Sequence, residues 1–182
     1  MQQHIARFKE LSPSKNELAL RENVPVEAYE YVAAKTIFTL MSGDEHSRGG
    51  TARPAAKGPR GSTIYIVETP PGNGPKLHAH MRTFETFVCL EGRYRFIFGA
   101  GGEHATIIER FDLISVPRGV NRSFENIGTE LARMLVIIQG DDGDALNDVL
   151  MQPEQAAHIS KTWGAEALAG MERLGMRFDG DV

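Results

Sequence analysis

The feature that most constrains the fold is a series of short apolar segments between residues 62 and 140, each ended by a turn signal. Residues 93–98 alternate strictly, so that Tyr94, Phe96 and Phe98 share one face and two arginines occupy the other. Because successive side chains of a strand point to opposite faces, one face is buried and the other is solvated. Such strands at short intervals predict an antiparallel sandwich or barrel. The predicted strands cover residues 63–67, 84–90, 93–98, 105–108, 112–116 and 132–138.

Three potential metal ligands lie close together in this region. His78 and His80 are two residues apart, so in a strand their side chains share a face. Glu85 follows after a four-residue connection, at the start of the next apolar strand, where a hairpin would bring its carboxylate beside the imidazoles. Two neutral nitrogens and one anionic oxygen suit a divalent transition metal.

The spacing of these ligands resembles the first motif of the cupin superfamily. Five residues separate Gly72 from His78, four separate His80 from Glu85, and six separate Glu85 from Gly92. The resemblance covers every defined position of that motif. It implies an all-β fold, the double-stranded β-helix or jelly-roll barrel, over residues 62–140.

A second segment, residues 111–126, is similar to the second cupin motif but departs from it at two positions. Phe111 stands where the family usually has glycine, and Arg122 stands where it usually has the fourth metal-binding histidine. The residues that match are Asp112, Pro117, Gly119 and Asn126.

Arg122 raises the question of charge, because a guanidinium cannot ligate a metal and stays protonated. A divalent ion with two neutral histidines and one carboxylate carries a charge of +1, and a further cation about 5 Å away would cost roughly 3 kcal/mol at an effective dielectric near 20. Three arrangements relieve that repulsion. An anionic substrate or a hydroxide binds between the metal and Arg122, or Arg122 turns outward to solvent, or no metal binds and Arg122 pairs with Glu85.

The inward aromatic residues predict a cavity for a small organic molecule with one polar or anionic group. The alternative is that the same rings simply fill the barrel. The candidate pocket residues are Phe87, Tyr94, Phe96, Phe98 and Phe124.

The flanks of the barrel predict two further segments. Residues 1–61 form an N-terminal extension with one added strand near residues 33–40 and a Gly/Pro-rich loop at 42–61. Residues 141–182 form a C-terminal helical segment behind Pro153 that ends near Gly175. Its apolar stripe, expected to pack on the barrel or on a second subunit, consists of Ile159, Trp163, Ala167 and Met171.

Composition excludes several classes of protein. The net charge of −4 and the isoelectric point of about 5.9 provide no basic surface for nucleic acid. No eighteen apolar residues run together and the N-terminus does not resemble a signal peptide, so we expect a cytoplasmic protein without a membrane anchor. The single cysteine, Cys89, allows no internal disulfide and fits a reducing compartment. We expect a homodimer.

The cupin resemblance by itself implies a wide range of functions. The superfamily includes metal-dependent dioxygenases, decarboxylases and isomerases, together with metal-free epimerases, storage proteins and ligand-sensing domains. Two histidines and a carboxylate with open positions are the ligand set of non-haem iron oxygen activation. We therefore expect a metal-dependent dioxygenase-type oxidoreductase that acts on a small organic molecule.

In that enzyme His78, His80 and Glu85 would hold the metal, and the groups expected to take part in catalysis are Glu85 and Arg122. Arg122 would orient an anionic substrate or stabilise developing negative charge. Iron is favoured, although manganese, nickel, cobalt and zinc also accept imidazole and carboxylate, and the metal-free arrangement stays open. The alternatives are a non-catalytic cupin that binds a small molecule and a metal-free isomerase or epimerase.

Overall fold

The computed structural model describes residues 1–14, 22–43, 55–141 and 148–179. Within these ranges the helices are α1 (Val26–Val32), α2 (Pro153–Trp163) and α3 (Ala165–Arg173), and two short 3-10 turns cover Gln2–His4 and Phe8–Glu10. The strands are β1 (Thr36–Ser42), β2 (Ala56–Lys57), β3 (Ser62–Thr69), β4 (His78–His80), β5 (Phe84–Glu91), β6 (Arg93–Phe98), β7 (His104–Glu109), β8 (Leu113–Val116), β9 (Arg122–Asn126), β10 (Ala132–Gln139), β11 (Val149–Met151) and β12 (Met176–Arg177).

These strands form two six-stranded sheets, which confirms the predicted jelly-roll fold. The first sheet has the order β2-β1-β3-β10-β5-β8, and the second has the order β12-β11-β4-β9-β6-β7. The pairs β1–β2 and β11–β12 are parallel, and the other pairs are antiparallel. Both flanks of the barrel therefore add strands: the N-terminal flank extends the first sheet, and the C-terminal flank extends the second.

The main core lies between the sheets and follows the predicted alternation. Tyr94 and Phe96 of β6 and Phe87 of β5 are fully buried, and Phe124 of β9 is 4% exposed. The rings of Phe87 and Phe96 meet edge to face with centroids 4.9 Å apart, a favoured geometry for aromatic pairs. Cys89 is also buried in this core, as a free thiol.

A second core joins the flanking helices. Within it Ile159, Ala167 and Met171 are buried and Trp163 is partly buried, so the predicted apolar stripe is confirmed. The prediction of one continuous helix is wrong, because the chain breaks between α2 and α3 at Gly164, where φ is +92°. The stripe packs on α1, whose residues the sequence analysis left without a predicted helix.

The N-terminal flank was predicted in part. The added strand is confirmed as β1, although it begins at Thr36. Most of the Gly/Pro-rich loop, residues 44–54, lies outside the described residues.

Across the described ranges, no helix combines the length and the apolar character that crossing a bilayer requires.

Phe111 shows why the motif usually has glycine at its position. It occupies the third position of the turn from Glu109 to Asp112, in which the Asp112 amide donates to the Glu109 carbonyl at 2.9 Å. Its φ is +74°, in the left-handed region that costs an L-residue roughly 1–2 kcal/mol. Its side chain is 69% exposed, so little burial offsets this strain.

We expect Phe111→Gly to raise the free energy of unfolding by about 0.5–1 kcal/mol, the relief of strain less the greater flexibility of glycine in the unfolded chain. Urea denaturation measures this change. Phe111→Ala is the matched control, because it removes the ring and keeps the Cβ atom that is strained at positive φ. Equal stabilisation by both variants would show that the exposed ring, rather than the backbone, is responsible.

Candidate metal centre

Strands of both sheets bring the predicted ligands together. In the second sheet β4 carries His78 and His80, and its neighbour β9 begins at Arg122, whose Cα pairs with that of His78. Glu85 lies on β5 of the first sheet, so the predicted hairpin is wrong: the short connection between β4 and β5 crosses from one sheet to the other. The ligand atoms of the two histidines and Glu85 all lie within 4.8 Å of one another. The Nε2 atom of His80 lies 3.7 Å from the Oε2 atom of Glu85.

The geometry around His78 leaves one nitrogen available as a ligand. Its Nδ1 atom lies 2.6 Å from the carbonyl oxygen of Lys76. A carbonyl oxygen can only accept, so Nδ1 carries the proton and Nε2 has a free lone pair. Burial, with the nearby charge of Arg122 as a second cause, lowers the pKa of His78 to about 3. The imidazole is therefore neutral, which is the form that ligates metals.

His80 is held by Asp148, a residue that the sequence analysis did not identify. The Nδ1 atom of His80 lies 2.6 Å from Oδ1 of Asp148. The other carboxylate oxygen of Asp148 accepts from the amide of Arg82 at 2.7 Å, the amide of Thr83 at 2.9 Å and the hydroxyl of Thr83 at 3.0 Å. These donors fix the carboxylate, which in turn directs Nε2 of His80 toward Glu85. A carboxylate behind a histidine is the usual outer partner of a metal-ligating imidazole.

Arg122 points inward, which rules out the outward arrangement. Its side chain is 2% exposed. The Nε atom donates to Oε2 of Glu85 at 3.0 Å, Nη2 donates to the same oxygen, and Nη1 donates to the carbonyl of His78 at 3.1 Å. The charges of Arg122 and Glu85 therefore cancel inside the barrel.

The second carboxylate oxygen of Glu85 is still free. Among the described residues no group donates to Oε1. This oxygen is also not one of the fully buried polar atoms that lack a hydrogen-bond partner. Arg122 thus uses Oε2, the oxygen that lies 3.7 Å from Nε2 of His80, and leaves Oε1 available as a further ligand atom.

Burial acts against both charges of this pair. It raises the pKa of Glu85 to about 8, with the negative charge of Asp148 as a second cause, and it lowers the pKa of Arg122 to about 9. The contact between the two groups acts in the opposite direction on each, because each ionised group stabilises its partner. Neither charge is well accommodated in this position without the other.

A cavity of about 130 Å³ opens beside these residues. Phe87 and Phe124 line it, as predicted. Both flanks contribute to the wall as well: Val32 and Ile37 come from the N-terminal side, and Met151 comes from the C-terminal side. The shape of the cavity is therefore decided partly by segments outside the barrel.

The other three predicted pocket residues do not line this cavity. Tyr94 and Phe96 have no exposed surface and fill the core between the sheets. Phe98 packs against His104, with ring centroids 5.5 Å apart. All three lie on β6, which β9 separates from the histidine strand β4, so their rings extend the core instead of the cavity wall.

The sequence of residues 65–138 matches the family described as the Cupin domain. These residues form a cupin domain. The resemblance found in the two motifs is thereby confirmed. No curated protein matches the chain.

Solved structures are similar to parts of this chain. The cupin domain of Schizosaccharomyces pombe Cnp3 is 21% identical, with a TM-score of 0.46, and 58% of this chain and 64% of that chain are covered. A proposed sugar phosphate isomerase from Acidithiobacillus ferrooxidans is 26% identical, with a TM-score of 0.41 and coverages of 45% and 52%. The DMSP lyase DddQ from Ruegeria pomeroyi is 18% identical, with a TM-score of 0.45 and coverages of 58% and 46%. The chain spans less than two thirds of each of these structures, so their activities are not transferred to it.

Proposed function

We propose that this cupin is a metal-dependent enzyme of the dioxygenase type, acting on a small and mostly apolar organic molecule with an anionic or polar group. One observation carries the proposal. Both histidines use Nδ1 in a hydrogen bond to an oxygen atom, which leaves both Nε2 atoms free as ligands in the group that His78 and His80 form with Glu85. An internal hydrogen-bond network would not require this shared orientation.

The donor set fits a divalent transition metal. His78, His80 and Glu85 would hold the ion, and Lys76 and Asp148 would orient the two imidazoles. Donor atoms that share one ion at about 2.1 Å lie roughly 3–4 Å apart, so ligand atoms that now lie within 4.8 Å of one another would draw together by up to about 2 Å. Iron is the favoured ion among iron, manganese, nickel, cobalt and zinc, and it would supply the activation of dioxygen that side chains cannot perform.

The neighbouring residues select and position the substrate. A divalent ion with one carboxylate and one guanidinium carries a total charge of +2, which favours an anionic substrate group near Arg122. The guanidinium is already held by Glu85 and by the His78 carbonyl, so it presents its charge without reorganisation. The apolar wall formed by Phe87, Val136 and Ile138 excludes water and packs against the hydrocarbon part of the substrate.

Elemental analysis of the purified protein tests the metal site. We expect close to one transition-metal ion per chain in the wild type and almost none in His78→Ala/His80→Ala, because one carboxylate that is shared with Arg122 does not hold an ion alone. The double variant His104→Ala/His158→Ala is the control, since both of these histidines are exposed. Equal metal content in the two double variants would place the metal elsewhere.

The dioxygen chemistry can be tested before a substrate is known. Nitric oxide is a stand-in for dioxygen that binds ferrous sites with open positions, and electron paramagnetic resonance detects the product. We expect the iron(II)-loaded wild type to give this signal and the His78→Ala/His80→Ala variant to lack it. Stoichiometric iron without a nitric oxide signal would argue against the dioxygenase class and in favour of a structural ion.

A second candidate function is a metal-free binding or isomerase pocket, and the buried pair of Arg122 and Glu85 favours it. The pair is neutral and complete without an ion. On this alternative, the wild type contains no metal and Arg122→His gains one, because the variant restores the fourth histidine of the motif.

The homodimer and the cytoplasmic location also stay predictions, which sedimentation analysis and cell fractionation check.

A further inference from the structure

The cavity contains two polar groups that neither the metal site nor its outer partners use. Its polar lining side chains, among the described residues, are Tyr29, Tyr65, His78, His80, Glu85 and Arg122. The last four form the candidate metal centre. The two tyrosines come from different parts of the chain, Tyr29 from α1 and Tyr65 from β3.

Strand register places Tyr65 on the same inner face as Glu85. Tyr65 pairs with Val136 of β10, and Val136 pairs with Phe87 of β5, so these three residues form one row across the sheet. Glu85 lies two residues before Phe87 and therefore points the same way. β10 separates β3 from β5, and Glu85 is offset from the row of Tyr65 by two residues, so the two backbones lie about 12 Å apart at the usual strand spacing and rise. Both residues line the cavity.

Tyr65 shares its face of β3 with a pair of buried hydroxyl groups. Thr63 lies two residues before Tyr65 on that face, and its Oγ1 atom lies 3.2 Å from the Oγ atom of Ser42. Thr63 and Ser42 are both buried. A tyrosine hydroxyl can donate as well as accept, so Tyr65 can offer its proton to an acceptor in the cavity.

Tyr29 approaches the same space from the flank. It is 8% exposed and lines the cavity together with Tyr65. A buried phenol is normally hydrogen-bonded. On the wall of the cavity, the hydroxyl of Tyr29 can donate to a molecule that enters it.

Both phenols stay protonated near neutral pH. Burial raises the pKa of Tyr29 to about 12, and burial, together with the charges of Tyr29 and Glu85, raises the pKa of Tyr65. Each is therefore a hydrogen-bond donor, which requires an oxygen acceptor on the bound molecule.

We propose that Tyr29 and Tyr65 form a second anchor that donates hydrogen bonds to a carbonyl or carboxylate oxygen of the substrate. This inference rests on the proposed function for the orientation of the substrate, and it deepens that function by naming a substrate class. The substrate is a compact hydrocarbon frame with one polar or anionic group for Arg122 and a second oxygen function for the two tyrosines. A cavity of about 130 Å³ matches a frame of ring size, because a cavity of about 150 Å³ accommodates benzene.

Two neutral probes of equal shape test the anchor in protein stripped of metal. Cyclohexanone has a carbonyl oxygen where methylenecyclohexane has a CH₂ group, so their affinities differ only through that oxygen. We expect Tyr29→Phe and Tyr65→Phe each to weaken cyclohexanone binding about three- to tenfold, the effect of one lost hydrogen bond. Binding of methylenecyclohexane stays within about twofold and shows that the cavity is intact. Ligand-observed NMR titration measures both dissociation constants.

Tyr31→Phe is the matched control, because Tyr31 also lies in α1 but donates its hydroxyl proton to Gln155 at 2.7 Å. We expect it to leave the affinity ratio of the two probes unchanged. The proposal is overturned if neither cavity variant changes that ratio, if Tyr31→Phe changes it equally, or if the wild type binds neither probe. Because the titration is made without metal, its failure is distinct from a failure of the metal analysis.

Discussion

Replacing Arg122 by methionine is expected to lower the free energy of unfolding by about 3–5 kcal/mol, since it leaves a buried carboxylate without its partner. Glu85 is 8% exposed and accepts two hydrogen bonds from Arg122. Burial already raises the pKa of this carboxyl, so an unpaired Glu85 would be forced to take up a proton or to bring water into the core. Urea denaturation in the presence of a chelator measures the loss without a contribution from metal binding.

Two further variants separate this effect from a general loss of packing. Glu85→Leu/Arg122→Met removes both charges, and we expect it to recover most of the stability, because apolar residues can replace a buried ion pair at little cost. Arg95→Met removes the exposed partner of Glu125 on the neighbouring strand, where an ion pair contributes less than about 1 kcal/mol. If Arg122→Met cost no more than Arg95→Met, the pair of Arg122 and Glu85 would not exist in solution.

The second large effect is expected for Asp148→Asn, which should weaken metal affinity by about 10- to 100-fold. An asparagine keeps the size of the side chain but loses the charge that holds the proton on Nδ1 of His80. It also weakens the contacts to the backbone of Arg82 and Thr83, because these donors would then face a neutral amide. His80 would consequently lose the fixed orientation of Nε2. Competition against a chromophoric chelator with zinc or cobalt measures the change.

Asp141→Asn is the control for this experiment. Asp141 lies nearby in sequence, but its side chain is 82% exposed and pairs with Arg118 at the surface. We expect its metal affinity to match that of the wild type. Equal affinities for the Asp148→Asn variant and the wild type would mean that Asp148 does not orient a metal ligand.

The barrel and the core of its site could be predicted because both depend on local patterns. Alternation along residues 93–98 is a property of one strand, and His78, His80 and Glu85 are joined by a short connection, residues 81–83. The predicted hairpin is wrong, because β4 and β5 belong to different sheets, but the shortness of the connection still keeps the three ligands together. The break at Gly164 was missed for a related reason, since the apolar stripe continues at helical spacing across it and only the backbone angle shows the interruption.

The environment of these residues depended on contacts between distant segments. Asp148 lies 68 residues from His80 in sequence and carries no recognisable spacing, and Tyr29 reaches the cavity from a helix that precedes the barrel. The sequence by itself determined the jelly-roll barrel and the three candidate ligands, since period-two alternation and the spacing of the ligands along the chain are local. Only the tertiary structure decided that Arg122 turns inward, because that orientation depends on a carboxylate that another strand holds within its reach.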